Sequence, residues 1–122
     1  MLRDDLYTVV DLDENEAQVI ATIAFKPTHD IFGGHFPENP MVPGVVLLKI
    51  VHELLEHHGK INVRLVAIKQ SKFLAIINPN VHRQVKITWK VEHEDNQLNI
   101  KATGLVDTQT FFKLSAVFGR IE

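Results

Sequence analysis

The 122-residue chain has no cysteine, one tryptophan and one tyrosine. The absence of thiols excludes disulfide staples and thiolate chemistry, and leaves the redox compartment open. Neither sign of charge dominates: 13 basic and 15 acidic residues give a formal net charge of −2, with both signs scattered along the chain. That balance argues against nucleic acid or an anionic membrane as partner. Long apolar runs are also missing, the longest being Val42 to Leu48, too short to cross a bilayer. The first residues, Met1-Leu2-Arg3-Asp4-Asp5, lack the basic start and apolar stretch of a signal peptide, so the expected setting is cytoplasmic. Repeats and low-complexity segments are absent, and the length suits one domain over residues 1–122. Such a chain buries roughly two-thirds of its unfolded surface, enough to fold without staples.

What is present is patterned. Tyr7 to Leu12 and Ala17 to Phe25 flank the polar connector Asp13-Glu14-Asn15-Glu16 and read as a hairpin. Thr28 to Pro43 holds Gly33-Gly34, Pro37, Pro40 and Pro43, which excludes regular structure. From Gly44 to about His58 apolar residues recur at helical spacing over most of the circumference, leaving Lys49, His52, Glu53 and Glu56 as one narrow polar stripe. A helix of that kind is usually buried. Pro43 suits its first position and Gly59 its C-terminal cap. Beyond Gly59 the pattern is all strand: Val63 to Ile77, Val81 to Glu94, Leu98 to Val106 and Thr110 to Ile121, with turns at Asn78-Pro79-Asn80, Asp95-Asn96 and Asp107-Thr108-Gln109. One helix cannot cover both faces of five or six strands. The economical arrangement is an α+β fold, a curved antiparallel sheet wrapped round the central helix, with an edge or face given to another subunit.

The chemistry concentrates where the loop meets the helix. Three prolines stiffen the segment that carries His35, so its imidazole is held rather than free. Gly34 permits a sharp turn or a close approach. Gly44 and Val45 supply backbone N–H groups that have no acceptor within the helix, at the positive end of its dipole. Such donors suit an oxyanion or a polarised carbonyl. A base beside them is what removal of an α-proton from an acyl thioester requires.

The word Gly34-His35-Phe36-Pro37-x-x-Pro40-x-x-Pro43-Gly44-Val45 resembles the signature of the β-hydroxyacyl-acyl-carrier-protein dehydratases, which have the hotdog fold. The segment Ala67 to Asn80, with Lys72-Phe73, resembles the strand and turn after that family's helix, and the strand order agrees from Tyr7 to Ile121. The resemblance implies dehydration of a (3R)-hydroxyacyl group carried on acyl-carrier protein or coenzyme A, as in fatty-acid or related lipid synthesis. It implies His35 as base and the Gly44 amide, with Val45, as carbonyl donors. Gly34, Phe36, Pro43 and Leu48 would complete the substrate-binding surface, with Phe36, Val45 and Leu48 along the acyl chain. No cofactor is needed, because the thioester itself acidifies the α-carbon. The family's acid stands fourteen residues after the histidine, and here that position is Lys49. A lysine is ordinarily a poorer proton donor than a carboxylic acid, and one general acid contributes about 10²–10⁴-fold. Lys49 itself, Glu53 one turn on, or a carboxylate from a non-identical hotdog partner are the possible sources of the proton. The family builds its sites across a dimer, so a homodimer or heterodimer is expected.

Two other readings follow from Lys49. One is a catalytically silent acyl-binding subunit that partners an active homologue; the other is thioester hydrolysis on the same fold. His52-Glu53-Leu54-Leu55-Glu56-His57 spaces its histidines five apart rather than four, so no metal is expected there. Gly33-Gly34 lacks the spacing and lysine of a phosphate loop. His57 and His58 suit the end of a helix dipole, and His82 and His93 read as surface residues.

Overall fold

The computed structural model describes residues 1–33 and 39–121. Its strands are β1 (Tyr7–Glu14), β2 (Val19–Phe25), β3 (Val63–Phe73), β4 (Gln84–Glu94), β5 (Gln97–Val106) and β6 (Gln109–Arg120). A 3₁₀ turn, Asp30–Gly33, and the helix α1, Gly44–Gly59, lie between β2 and β3. The six strands form one antiparallel sheet in the order β1-β2-β4-β5-β6-β3. Alternation makes one face apolar: β2 buries Val19, Ala21, Ile23 and Phe25, and β4 buries Val85, Ile87 and Trp89. That face closes on α1.

A 16-residue helix is marginal in isolation. Here it is held by burial of Val46, Leu47, Ile50, Val51, Leu54 and Leu55, at about 1.5–3 kcal/mol for each fully buried side chain. Irregular register in β1, in β3 and between β5 and β6 bends the sheet around it. Two hairpins turn at Asp95 and Asp107, both at positive φ (54° and 53°), which aspartate tolerates better than most residues.

Several boundaries differ from expectation. Pro43 is the N-cap rather than the first helical residue, because its extended backbone (ψ 150°) still precedes the helical turn. Gly59 remains helical, and Lys60 takes the left-handed cap, its N–H donating to the Glu56 carbonyl. β3 stops at Phe73, where Leu74 and Ala75 turn both their N–H groups to the Phe111 carbonyl. His82, expected at the surface, is half-buried. Its Nδ1 accepts the Asn78 N–H at 2.9 Å and its ring packs edge-on against Phe111. Among the described residues no helix is long and apolar enough to cross a membrane.

Candidate active site

The helix start is exposed on one side. Val46 and Leu47 donate to the Pro43 carbonyl at 3.0 and 3.1 Å, while among the described residues no acceptor meets the N–H of Gly44 or Val45. The loop before them is pinned by the Val42 N–H, which donates to the Ile77 carbonyl at 2.9 Å, and by burial of Val42 and Pro40. Gly44 is required by a close approach: a Cβ there would stand 2.6 Å from Cζ of Phe73. The Phe73 ring, at the end of β3, therefore lies directly over the first residue of the helix. Pro43 and Leu48 are half-buried, with Leu48 packed on the edge of the core. Val45, one of the apolar positions expected to be covered, is 74% exposed. Gly34, His35 and Phe36 lie outside the described residues.

Lys49 stands one turn after Val45 on the same side, exposed. Glu53, one turn further along that stripe, does not share its surroundings. It is 2% exposed, and its carboxylate faces the N-terminal segment. Oε2 accepts the Leu2 N–H at 2.9 Å, while Oε1 accepts the Arg3 N–H at 2.9 Å and the Tyr7 hydroxyl at 3.1 Å. Its carboxylate is thus committed to the N-terminal segment, and using Glu53 as the acid, one of the three proton sources considered, means giving up these bonds. A buried carboxylate without such donors would be costly.

Tyr7 bears the electrostatic mark of this arrangement. Burial, then the charge of Glu53 and the hydrogen bond to it, push its phenol well above the ordinary value of 10.0. A group whose folded pKa is raised contributes stability that is complete below its unfolded pKa and is lost as pH climbs above it. Wild type should therefore lose urea resistance above about pH 10, and Tyr7→Phe should lose less over the same interval. Parallel declines would remove Tyr7 as the cause.

The rest of the stripe fastens the helix to β3. His52 Nε2 donates to the Val63 carbonyl at 2.8 Å, and Glu56 Oε2 accepts the Val63 N–H at 3.0 Å. His58 adds to its place at the helix end a contact with Glu14 (3.1 Å) and an edge-on approach to Trp89. Neither Glu53 nor these histidine contacts had a local signal. Their partners come from distant strands and from the N-terminal segment.

Comparison with known proteins gives the family and the fold. A family model described as ApeI dehydratase, ApeI-like, matches residues 11–111. A 3-hydroxyacyl-[acyl-carrier-protein] dehydratase, FabZ of Lactobacillus helveticus, is 25% identical over 107 residues, spanning 81% of this chain and 70% of that protein. Among solved structures, the dehydratase heterocomplex ApeI:P from Xenorhabdus doucetiae superposes with a TM-score of 0.74 at 18% identity, over 92% of this chain and 96% of that one. A protein of the thioesterase superfamily superposes with a TM-score of 0.68 at 14% identity, over 95% and 84% of the two chains. At such identities the structural likeness establishes the fold, which is the hotdog. With the family match covering most of its length, the chain belongs to the ApeI-like dehydratases.

Proposed function

We propose that this protein is a hydro-lyase that converts (3R)-hydroxyacyl thioesters, carried on acyl-carrier protein, to trans-2-enoyl thioesters. The thioester oxygen accepts hydrogen bonds from the Gly44 and Val45 N–H groups, where the helix dipole favours the charge that develops on enolisation. His35 takes the α-proton, and the electron pair left behind forms the new double bond. The bond from C3 to its hydroxyl breaks, and the oxygen leaves as water after taking a proton from the Lys49 ammonium. Proton return from His35 to Lys49 restores the site. Pro43 fixes the loop's approach, with Gly34, Phe36 and Leu48 around the substrate. No cofactor takes part. The observation that carries this reading is the pair of N–H groups at the helix start that meet no acceptor among the described residues, in a chain of a dehydratase family. One domain spanning residues 1–122, working in the cytoplasm, completes the picture; the single contiguous core supports the first part.

The chain acts with a second hotdog subunit. β3 is an edge strand of eleven residues, and Leu65, Val66, Ile68 and Phe73 are exposed along it. A long apolar edge is a template for pairing with another chain. The Ile68→Asp variant should shift the species in solution toward the mass of one chain, read by light scattering. An unchanged mass would place the interface elsewhere, and a wild type that is already monomeric would remove it.

A second reading is favoured by one observation. Position 49 is not a carboxylate, and the nearest carboxylate along the stripe, Glu53, is committed to the N-terminal segment. On that reading the chain is a silent acyl-binding subunit of a heterocomplex. The test of both is enoyl absorbance after addition of a (3R)-hydroxyacyl thioester. Turnover by the pure protein supports the hydro-lyase. Turnover only after adding a hotdog homologue that carries the carboxylate supports the silent subunit, and no turnover in either case contradicts both.

A further inference from the structure

Glu53 is the one buried charged side chain among the described residues, and the proposed mechanism does not use it. Its hydrogen bonds all go to one short stretch, residues 2–7. Ion–dipole bonds of this kind are each stronger than a neutral pair. They clasp the N-terminal segment across α1 just past Lys49. The same stretch is anchored at its far end, where Leu6 and Tyr7 are fully buried and the Lys26 N–H donates to the Leu6 carbonyl at 2.7 Å.

The clasp makes a wall. Met1 and Leu2 stand on one side of a groove of about 370 Å³, and Val45, Val46 and Lys49 form the other. Four of these five residues are apolar, and the volume falls in the range of small-molecule sites. The groove begins at Val45, whose N–H is one of the two proposed carbonyl donors, and Lys49 lines it at the proposed acid position. An apolar chain attached to a carbonyl held at the helix start has this groove as its adjoining apolar path.

Resting on the hydro-lyase reading, we infer that the groove between residues 1–2 and the first two turns of α1 takes the acyl chain of the substrate, and that Glu53 is a positioning residue that holds its outer wall. Glu53 acts through Leu2 rather than on the reacting atoms. Acyl-chain preference is then set by a carboxylate that never touches the substrate.

The test is binding of saturated acyl-pantetheine thioesters, which have no 3-hydroxyl to eliminate, measured by calorimetry for four-carbon and ten-carbon chains. Wild type should bind the longer chain at least about tenfold more tightly, since each buried methylene strengthens binding. Glu53→Gln keeps the shape but weakens the clasp, and should cut that preference at least about threefold with little change for the short chain. Leu2→Trp, which fills the groove and leaves Glu53 intact, should cut it as well. If both variants keep the wild-type ratio, the acyl chain lies elsewhere and the inference is wrong; equal weakening of both ligands, tracking a fall in melting temperature, also overturns it, by reducing Glu53 to a purely structural role. Because these ligands cannot react, a protein that shows the length-dependent pattern yet forms no enoyl product would sink the hydro-lyase and spare the groove.

Discussion

His35→Ala is expected to lower kcat for enoyl formation by about 10²–10⁴-fold, equivalent to about 3–5 kcal/mol of barrier. The reason is specific to the reaction. The α-proton of a thioester is acidified by the carbonyl, but a base must still accept it in the transition state. Gly44 and Val45 stabilise the enolate oxygen and cannot replace that base. KM should change much less than kcat, because carbonyl binding and the acyl groove are untouched. Lys49→Ala should also reduce kcat, and a loss restricted to Lys49→Ala, with His35→Ala fully active, would remove His35 as the base. Rates from stopped-flow enoyl absorbance, with circular dichroism to check folding, decide the matter.

Gly104→Ala should have the largest effect on stability. Gly104 pairs with Phe112 across β5 and β6, and a Cβ at position 104 would fall 2.0 Å from Cε1 and 2.4 Å from Cδ1 of that ring. Phe112 is 2% exposed, so its ring cannot swing out into solvent. Overpacking of this kind costs about 1–3 kcal/mol and sometimes more. For a domain of this size the melting temperature should drop by roughly 5–15 °C. The corresponding change at Gly44 meets Phe73, which is 54% exposed and can swing outward, so its cost should be smaller. Calorimetric melting of the two variants side by side tests the comparison. Equal losses would mean that exposure of the contacted ring does not govern the cost.

Much of the fold was written in local pattern. The helix from Gly44 declares itself through apolar spacing and the proline before it, and β2 and β4 through strict alternation. The turns at Asp95 and Asp107 follow from residues that tolerate positive φ. The loop-to-helix word, with its three prolines, histidine and helix-opening glycine, pointed to the fold and to a dehydratase family. Glu53 was not legible in the same way. Along the helix it looks like the next charged residue after Lys49, and its burial depends on Leu2, Arg3 and Tyr7, about fifty residues earlier in the chain. Gly44 likewise answers to a ring at the end of β3, and Gly104 to one directly across the β5–β6 hairpin. His82 looked exposed from its polar turn because nothing in the turn announces Phe111. Local rules decide elements here, whereas side-chain roles at long range come only from packing.

The most direct test of the central claim is the amide spectrum of nitrogen-15-labelled protein during titration with butyryl-pantetheine. Seating a thioester carbonyl on the first turn of α1 should move the Gly44 and Val45 resonances downfield more than any others. Saturable binding that leaves those two signals in place, with shifts gathered on another surface, would show that the substrate is held somewhere other than the helix start.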